Sequence, residues 1–189
     1  MRATDSRILP RLDKACWVVS AEADGGLTAR LCASTGRGGE AESIGSSRGG
    51  WDVTLDTDGT PWVVFVSEEN GCIAVRRAVE GRWGPSLQVS AERGVEPLIR
   101  ADEFNNIWVF WRDGSPGAAF ACRVCRMGPR SGQEMVAASF DRDQTILDAG
   151  CRGGEIWLLA GDREGERWIV CGTEHDGFPP ARRIGASLT

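Results

Sequence analysis

Asp56-Thr-Asp-Gly-Thr-Pro-Trp-Val-Val-Phe-Val66 reads as a polar turn followed at once by an apolar run. Asp, Gly and Pro supply the turn chemistry, and a short β-branched and aromatic run bounded by such signals is strand-like. The same order of features recurs around three other tryptophans. They open Trp17-Val-Val-Ser20, Trp108-Val-Phe-Trp111 and Trp157-Leu-Leu-Ala160. From one Trp to the next the spacing is 45, 46 and 49 residues, which marks a repeat architecture.

Each repeat can be read outward from its Trp. A short strand-like run lies upstream, at 8–9, 51–55, 97–100 and 145–147, separated from the Trp by a turn such as Asp102-Glu-Phe-Asn-Asn106. Downstream comes a second acid-and-Gly turn, as in Glu22-Ala-Asp-Gly-Gly26 and Glu68-Glu-Asn-Gly71, and then a third run. A Gly- or Pro-rich turn such as Gly81-Arg-Trp-Gly-Pro85 precedes a fourth run. Four strands with a turn every 8–12 residues, repeated four times and without helical periodicity, predict an all-β protein. Four-stranded β-propeller blades fit this pattern, over about 1–47, 48–92, 93–140 and 141–189 of a single domain. A lone four-stranded sheet cannot bury both its faces, so such units must stack. The repeated Trp is the expected blade-to-blade packing residue, worth roughly 2–3 kcal/mol of burial. A β-sandwich or an eight-stranded barrel would explain the strand count but not the period.

The blades resemble those of the sialidase (BNR-type) and TolB-like bacterial families. Asp56-Thr-Asp-Gly-Thr-Pro-Trp-Val-Val-Phe65, Ile107-Trp-Val-Phe-Trp111 and Gly81-Arg-Trp83 carry the likeness. The resemblance implies a fold and not a chemistry. The sialidase Asp-box has a different spacing and lies between the third and fourth strands, and sialidases use a Tyr nucleophile, whereas this chain has no Tyr. WD40 and kelch signatures are missing, as are the helical segments of haemopexin-like domains.

Four blades are the minimum for a closed propeller. The chain is therefore expected either to close on itself, to pair as half of an eight-bladed homodimer, or to be a piece of a longer propeller.

The 189 residues carry a net charge of −5 and 41% apolar content, enough for a full core but without a basic nucleic-acid footprint. No apolar run approaches 20 residues, so no membrane span is expected. Seven Cys, an odd number, and an N-terminal stretch without an apolar segment point to reduced thiols in a cytoplasmic protein. Cys122-Arg-Val-Cys125 sits in a strand-like run that points its two thiols to opposite faces, and no second CxxC completes a ligand set. No metal or other cofactor is expected.

Each blade link carries an Arg 14 or 15 residues before its Trp: Arg2, Arg48, Arg93 and Arg142. In propellers the blade links share one face with the turns between second and third strands. Those turns carry Asp24, Glu69, Asp113 and Asp162. Arginines suit a carboxylate or phosphate, and the acids serve either as cation ligands or as turn formers. His175, the single histidine, falls in a turn and reads as a surface residue. Trp51, Trp83, Trp111 and Trp168 stand outside the repeat. Those that are exposed suit stacking on sugar rings, whereas Trp111 and Trp168 fit core filling.

The expected function is that of a non-catalytic binding module. Its ligand or partner, an anionic small molecule, a glycan or a protein, would sit on the channel face. A glycan-acting hydrolase or lyase using the channel-face Arg and acids is the second reading, and a purely structural, engineered or ancestral half-propeller is the third. Short, near-equal turns speak against an enzyme.

Overall fold

The computed structural model describes residues 5–35, 37–113, 118–124, 135–139 and 144–184. Every regular element among them is a β-strand. The strands are β1 (Asp5–Pro10), β2 (Cys16–Ala21), β3 (Gly26–Cys32), β4 (Glu42–Leu55), β5 (Pro61–Ser67), β6 (Cys72–Val79), β7 (Arg82–Trp83) and β8 (Leu87–Ala101). They continue with β9 (Ile107–Asp113), β10 (Ala118–Val124), β11 (Met135–Ser139), β12 (Thr145–Arg152), β13 (Glu155–Gly161), β14 (Arg167–Thr173) and β15 (Arg182–Ile184).

All pairings are antiparallel. β1 to β11 form one strongly curled sheet of eleven strands, and β12 to β15 form a second sheet of four. The large sheet divides into three four-stranded units because β4 and β8 each change partner midway. β4 pairs with β3 up to Ser46 and with β5 from Ser47, while β8 pairs with β6 up to Arg93 and with β9 from Gly94. The fourth run of one unit and the first run of the next, separate in the sequence reading, are thus single strands. With β12–β15 there are four units, called here the first to fourth sheets.

Turn chemistry repeats with the sheets. Arg11, Asp56 and Asp102 each donate a backbone N–H to the carbonyl four residues on, at 2.9–3.0 Å. The fourth residue of each turn has positive φ: Lys14 at 63°, Gly59 at 75° and Asn105 at 68°. Asp56 accepts from Asp58 N, Thr60 N and the indole Nε1 of Trp62, and so ties its turn to the packing residue of the next strand. The first sheet has Arg11 at that place, and both Arg11 Nε and Trp17 Nε1 are buried without a hydrogen-bond partner. Gly81-Arg-Trp83, expected as part of a longer turn, instead forms a hairpin. Val79 pairs with Arg82 around Glu80 and Gly81, both at positive φ as a two-residue primed turn requires.

Three apolar clusters fill the three junctions. Trp17, Val19 and Leu27 of the first sheet meet Val63, Phe65 and Ala74 of the second. Trp62, Val64 and Val66 on the opposite face of β5 meet Ile99, Val109 and Trp111 of the third. Trp108 and Phe110 meet Ile146, Ile156 and Leu158 of the fourth. This explains why β5 is buried at almost every position while β2 and β13 alternate: a sheet covered on both faces needs apolar residues on both. The expectation that the repeated Trp packs sheet on sheet thus holds for Trp17, Trp62 and Trp108. Among the described residues no cluster joins the fourth sheet to the first, and a closed ring of four is not formed by these contacts.

Charged ties cross the junctions near the first strands. Asp52 on β4 accepts from Ile99 N at 3.1 Å and from Arg100 Nη1 at 2.6 Å. Arg100 also reaches Asp148 Oδ1 at 2.5 Å and Ala149 O at 2.8 Å on β12, so one guanidinium joins three sheets. Arg112 grips Glu96 in a bidentate pair at 2.7 and 2.8 Å, and Glu96 accepts from Ile146 N. Arg76 bonds to Ile44 O of the first sheet and to Gly84 O, and burial lowers its pKa.

Candidate functional site

The turn from β5 to β6, Ser67-Glu-Glu-Asn-Gly71, closes through Gly71 N donating to Ser67 O at 2.8 Å, with Gly71 at φ +75°. Gly94 of the following link then donates to Gly71 O at 3.0 Å. These bonds hold Gly71 between two strand-to-strand links, and its missing side chain leaves room for two arginines. A Cβ there would lie 3.2 Å from Arg93 Cγ and 3.4 Å from Arg48 Nη1. Two of the four arginines singled out by spacing therefore converge on one turn.

Around them lies an open cleft of about 260 Å³ lined by Arg48, Gly49, Gly50, Val66, Gly71, Arg93, Gly94 and Val95. Both arginines are exposed, and neither is ion-paired to a described residue. Arg93 Nε donates to Asn70 O at 3.3 Å, which anchors the side chain beside the Gly71 turn. The glycines set the floor: a Cβ at Gly94 would collide with Ile73 and Trp111 at 2.7–2.8 Å, so the backbone here packs as closely as it can. Two permanently charged, fork-shaped donors beside an apolar floor can take an anion whose body is partly apolar.

The remaining sequence-chosen residues fare differently. Arg2 and Arg142 lie outside the described residues. Glu69 is exposed on the Gly71 turn, and Asp113 ends β9, in register with Gly94. Asp24 accepts from Gly26 N at 2.9 Å, and Asp162 accepts from Glu164 N and Glu166 N at 2.9 Å, so both carboxylates cap their own turns. Among the described residues no group of three or more His, Cys, Asp or Glu could hold a metal ion. Of the CxxC pair, Cys125 lies outside the described residues, while Cys16, Cys32, Cys72, Cys151 and Cys171 are free thiols. Burial, with help from Asp102 and against Arg100, pushes the Cys151 thiol up to about 12.

His175 sits exposed in the Thr173–Gly177 turn. Trp111 is core, as expected; Trp168 and Trp51 are half-buried, and Trp83 packs edge-on against Trp17 at 6.0 Å. The sequence reading missed the Asp52–Arg100–Asp148 tie. Its signal was an acid and a base inside otherwise apolar first strands, where a lone charge needs a partner. No described helix is long and apolar enough to cross a membrane.

No protein-family model and no curated protein matches the chain, so the likeness to sialidase and TolB-like blades remains one of sequence pattern. Solved structures match at the level of fold. A protein of unknown function from Dyadobacter fermentans aligns with a TM-score of 0.65 at 10% identity, over 95% of this chain and 68% of that one. The Aleuria aurantia lectin in complex with α-methyl-L-fucoside aligns at 0.61 and 14%, over 93% and 58%. An ulvan lyase of polysaccharide lyase family PL25, bound to -[GlcA(1-4)Rha3S]-, aligns at 0.67 and 11%, over 96% and 55%. The chain thus spans little more than half the length of the lectin and the lyase, and what it shares with them is the all-β architecture.

Proposed function

We propose that the chain is a run of four β-propeller blades serving as a non-catalytic binding module, and that its ligand is an acidic glycan held between Arg48 and Arg93. The observation that carries this reading is the convergence of the Arg48 guanidinium and the Arg93 stem on Gly71, in a cleft lined by glycine and valine. A uronate or sulfate group would take the arginines, and the sugar's apolar face would lie on the exposed Val95. The neighbours support the ligand class: one is a lectin holding a fucoside, and the other is a lyase bound to a glucuronate- and sulfate-bearing chain. Short turns and turn-capping acids leave recognition as the simplest use of this face.

Isothermal titration of the purified chain with sulfated and uronate oligosaccharides, beside neutral ones, tests the reading. Anionic sugars should bind and weaken as salt rises. Arg48→Ala and Arg93→Ala should each cost about 10-fold or more, the worth of a charge-assisted hydrogen bond. Equal binding of neutral sugars, or affinity indifferent to both substitutions, would overturn it.

A further inference from the structure

The three junctions follow one rule, and the fourth sheet breaks it. Trp17, Trp62 and Trp108, at 3%, 3% and 2% exposure, lie under the next sheet, as do Val19, Val64 and Phe110 two residues on. Trp157 and Leu159 hold the same two places on β13 but are only half-buried. Around them Ile169, opposite Leu159 on β14, and Leu147 are 37% and 43% exposed. The first sheet shows the converse. On the opposite face of the second strand, Val63 and Phe65, Val109 and Trp111, and Leu158 and Ala160 are all buried. Val18 and Ser20, their equivalents on β2, are half-buried, and Ile8 beside Val18 is 68% exposed.

The acids repeat the pattern. Asp52 stands opposite Val64, is 15% exposed and bonds to the next sheet's Ile99 N. Asp148 stands opposite Leu159 in the same register and is 62% exposed.

The two uncovered faces are therefore complementary by construction. The face of the fourth sheet is of the kind that the other three sheets cover with a following sheet. The face of the first sheet is of the kind that does the covering. Among the described residues no cluster joins them, since the three clusters end at the first and fourth sheets.

We propose that the occupant of each face is a second copy of this chain. The Trp157–Leu159 face of one copy takes the Ile8–Val18 face of the other, and the two head-to-tail junctions close an eight-sheet ring with two-fold symmetry. This is independent of the ligand proposed above.

Light scattering on the full chain across a dilution series should give twice 20.4 kDa, unchanged over at least a hundred-fold range. Trp157→Glu and Val18→Asp, one on each face, should each reduce the mass to a single chain with unchanged circular dichroism. Mixed together they should recover a two-chain species, because each retains the face the other has lost. Leu159→Lys replaces Trp157→Glu should that variant fail to fold. A constant single-chain mass for the unmodified protein overturns the proposal, whether the faces meet within the chain or await further sheets. So does a mass that keeps growing with concentration, or a mixture that stays at one chain.

Discussion

Replacing Arg100 by Met should loosen three sheets at once, and the structure sets the size of the effect. Met keeps much of the apolar stem and removes the guanidinium, whose bonds run to Asp52 at 2.6 Å, Asp148 at 2.5 Å and Ala149 O at 2.8 Å. The arms are unequal. Asp148 is mostly exposed, so that pair is screened and worth about 0–1 kcal/mol. Asp52 is largely covered, and its charge-assisted bond counts for about 1.5–3 kcal/mol. The carbonyl bond adds about 0.5–1.5 kcal/mol. A loss near 3 kcal/mol follows, which lowers Tm by about 6–12 °C in a domain of this size. Thermal unfolding followed by circular dichroism measures it. Arg7→Met is the control, since its contact with Asp5 is 4.0 Å long and exposed on both sides. Adding Asp52→Asn to Arg100→Met should restore part of the loss, because the second change removes the stranded charge. A Tm for Arg100→Met within about 1 °C of the control would refute the reasoning.

The same tie sets an acid dependence. Burial alone would raise the Asp148 carboxyl, but the hydrogen bond from Arg100, the Ala149 N–H and the guanidinium charge outweigh it and hold its pKa below the ordinary 3.8. A depressed carboxylate contributes stability above its unfolded pKa and loses it as pH falls through the folded one. Melting below pH 4 should therefore drop more steeply in the unmodified protein than in Arg100→Met. Arg11→Asp should give Trp17 the acceptor that Asp56 gives Trp62, raising stability by about 1 kcal/mol in chemical denaturation; no gain would mean the turn does not tolerate the exchange. Cys151, with its thiol near 12, should react with iodoacetamide at pH 8 roughly 1,000-fold more slowly than an ordinary thiol, as read by mass spectrometry of the alkylated peptide. Gly94→Ala should cost about 1–3 kcal/mol through overpacking against Ile73 and Trp111, and a neutral result in denaturant titration would contradict the close approach drawn for that link.

What could be read in advance follows from what repeats. The Trp-led strands recur with the same flanking turns, so period, strand number and packing residue are visible as self-similarity. Arg48 and Arg93 were visible for the same reason, and Gly71 brings them together. Fusion of strands across Ser46–Ser47 and Arg93–Gly94 was not visible, because Ser47-Arg-Gly-Gly50 has the composition of a loop while hydrogen bonds to neighbouring turns hold it extended. The ties of Arg100 and Arg112 join residues 48 and 16 apart to their acids, so only the packed arrangement pairs them. The exposed face of the fourth sheet was equally hidden. Trp157 looks like its three counterparts in sequence and differs only in what lies over it.

The strands that carry the chain from the first sheet to the second and from the second to the third have an evolutionary consequence. Binding surfaces on loops diversify by insertion and deletion, since a loop absorbs length without disturbing its scaffold. Arg48 and Arg93 stand where β4 and β8 cross between sheets, and there the ladders are bulged: Ser47 and Trp51 pair with Ser67 and Phe65, so Arg48-Gly49-Gly50 stands against Val66 alone, and Arg93 likewise pairs beside a register shift. A residue added at these crossings can be taken up by the bulge, whereas one added in the regular ladder on either side turns every later side chain to the wrong face. Changes of length should then gather at the two crossings and the hairpin tips, while the regular ladders keep their length.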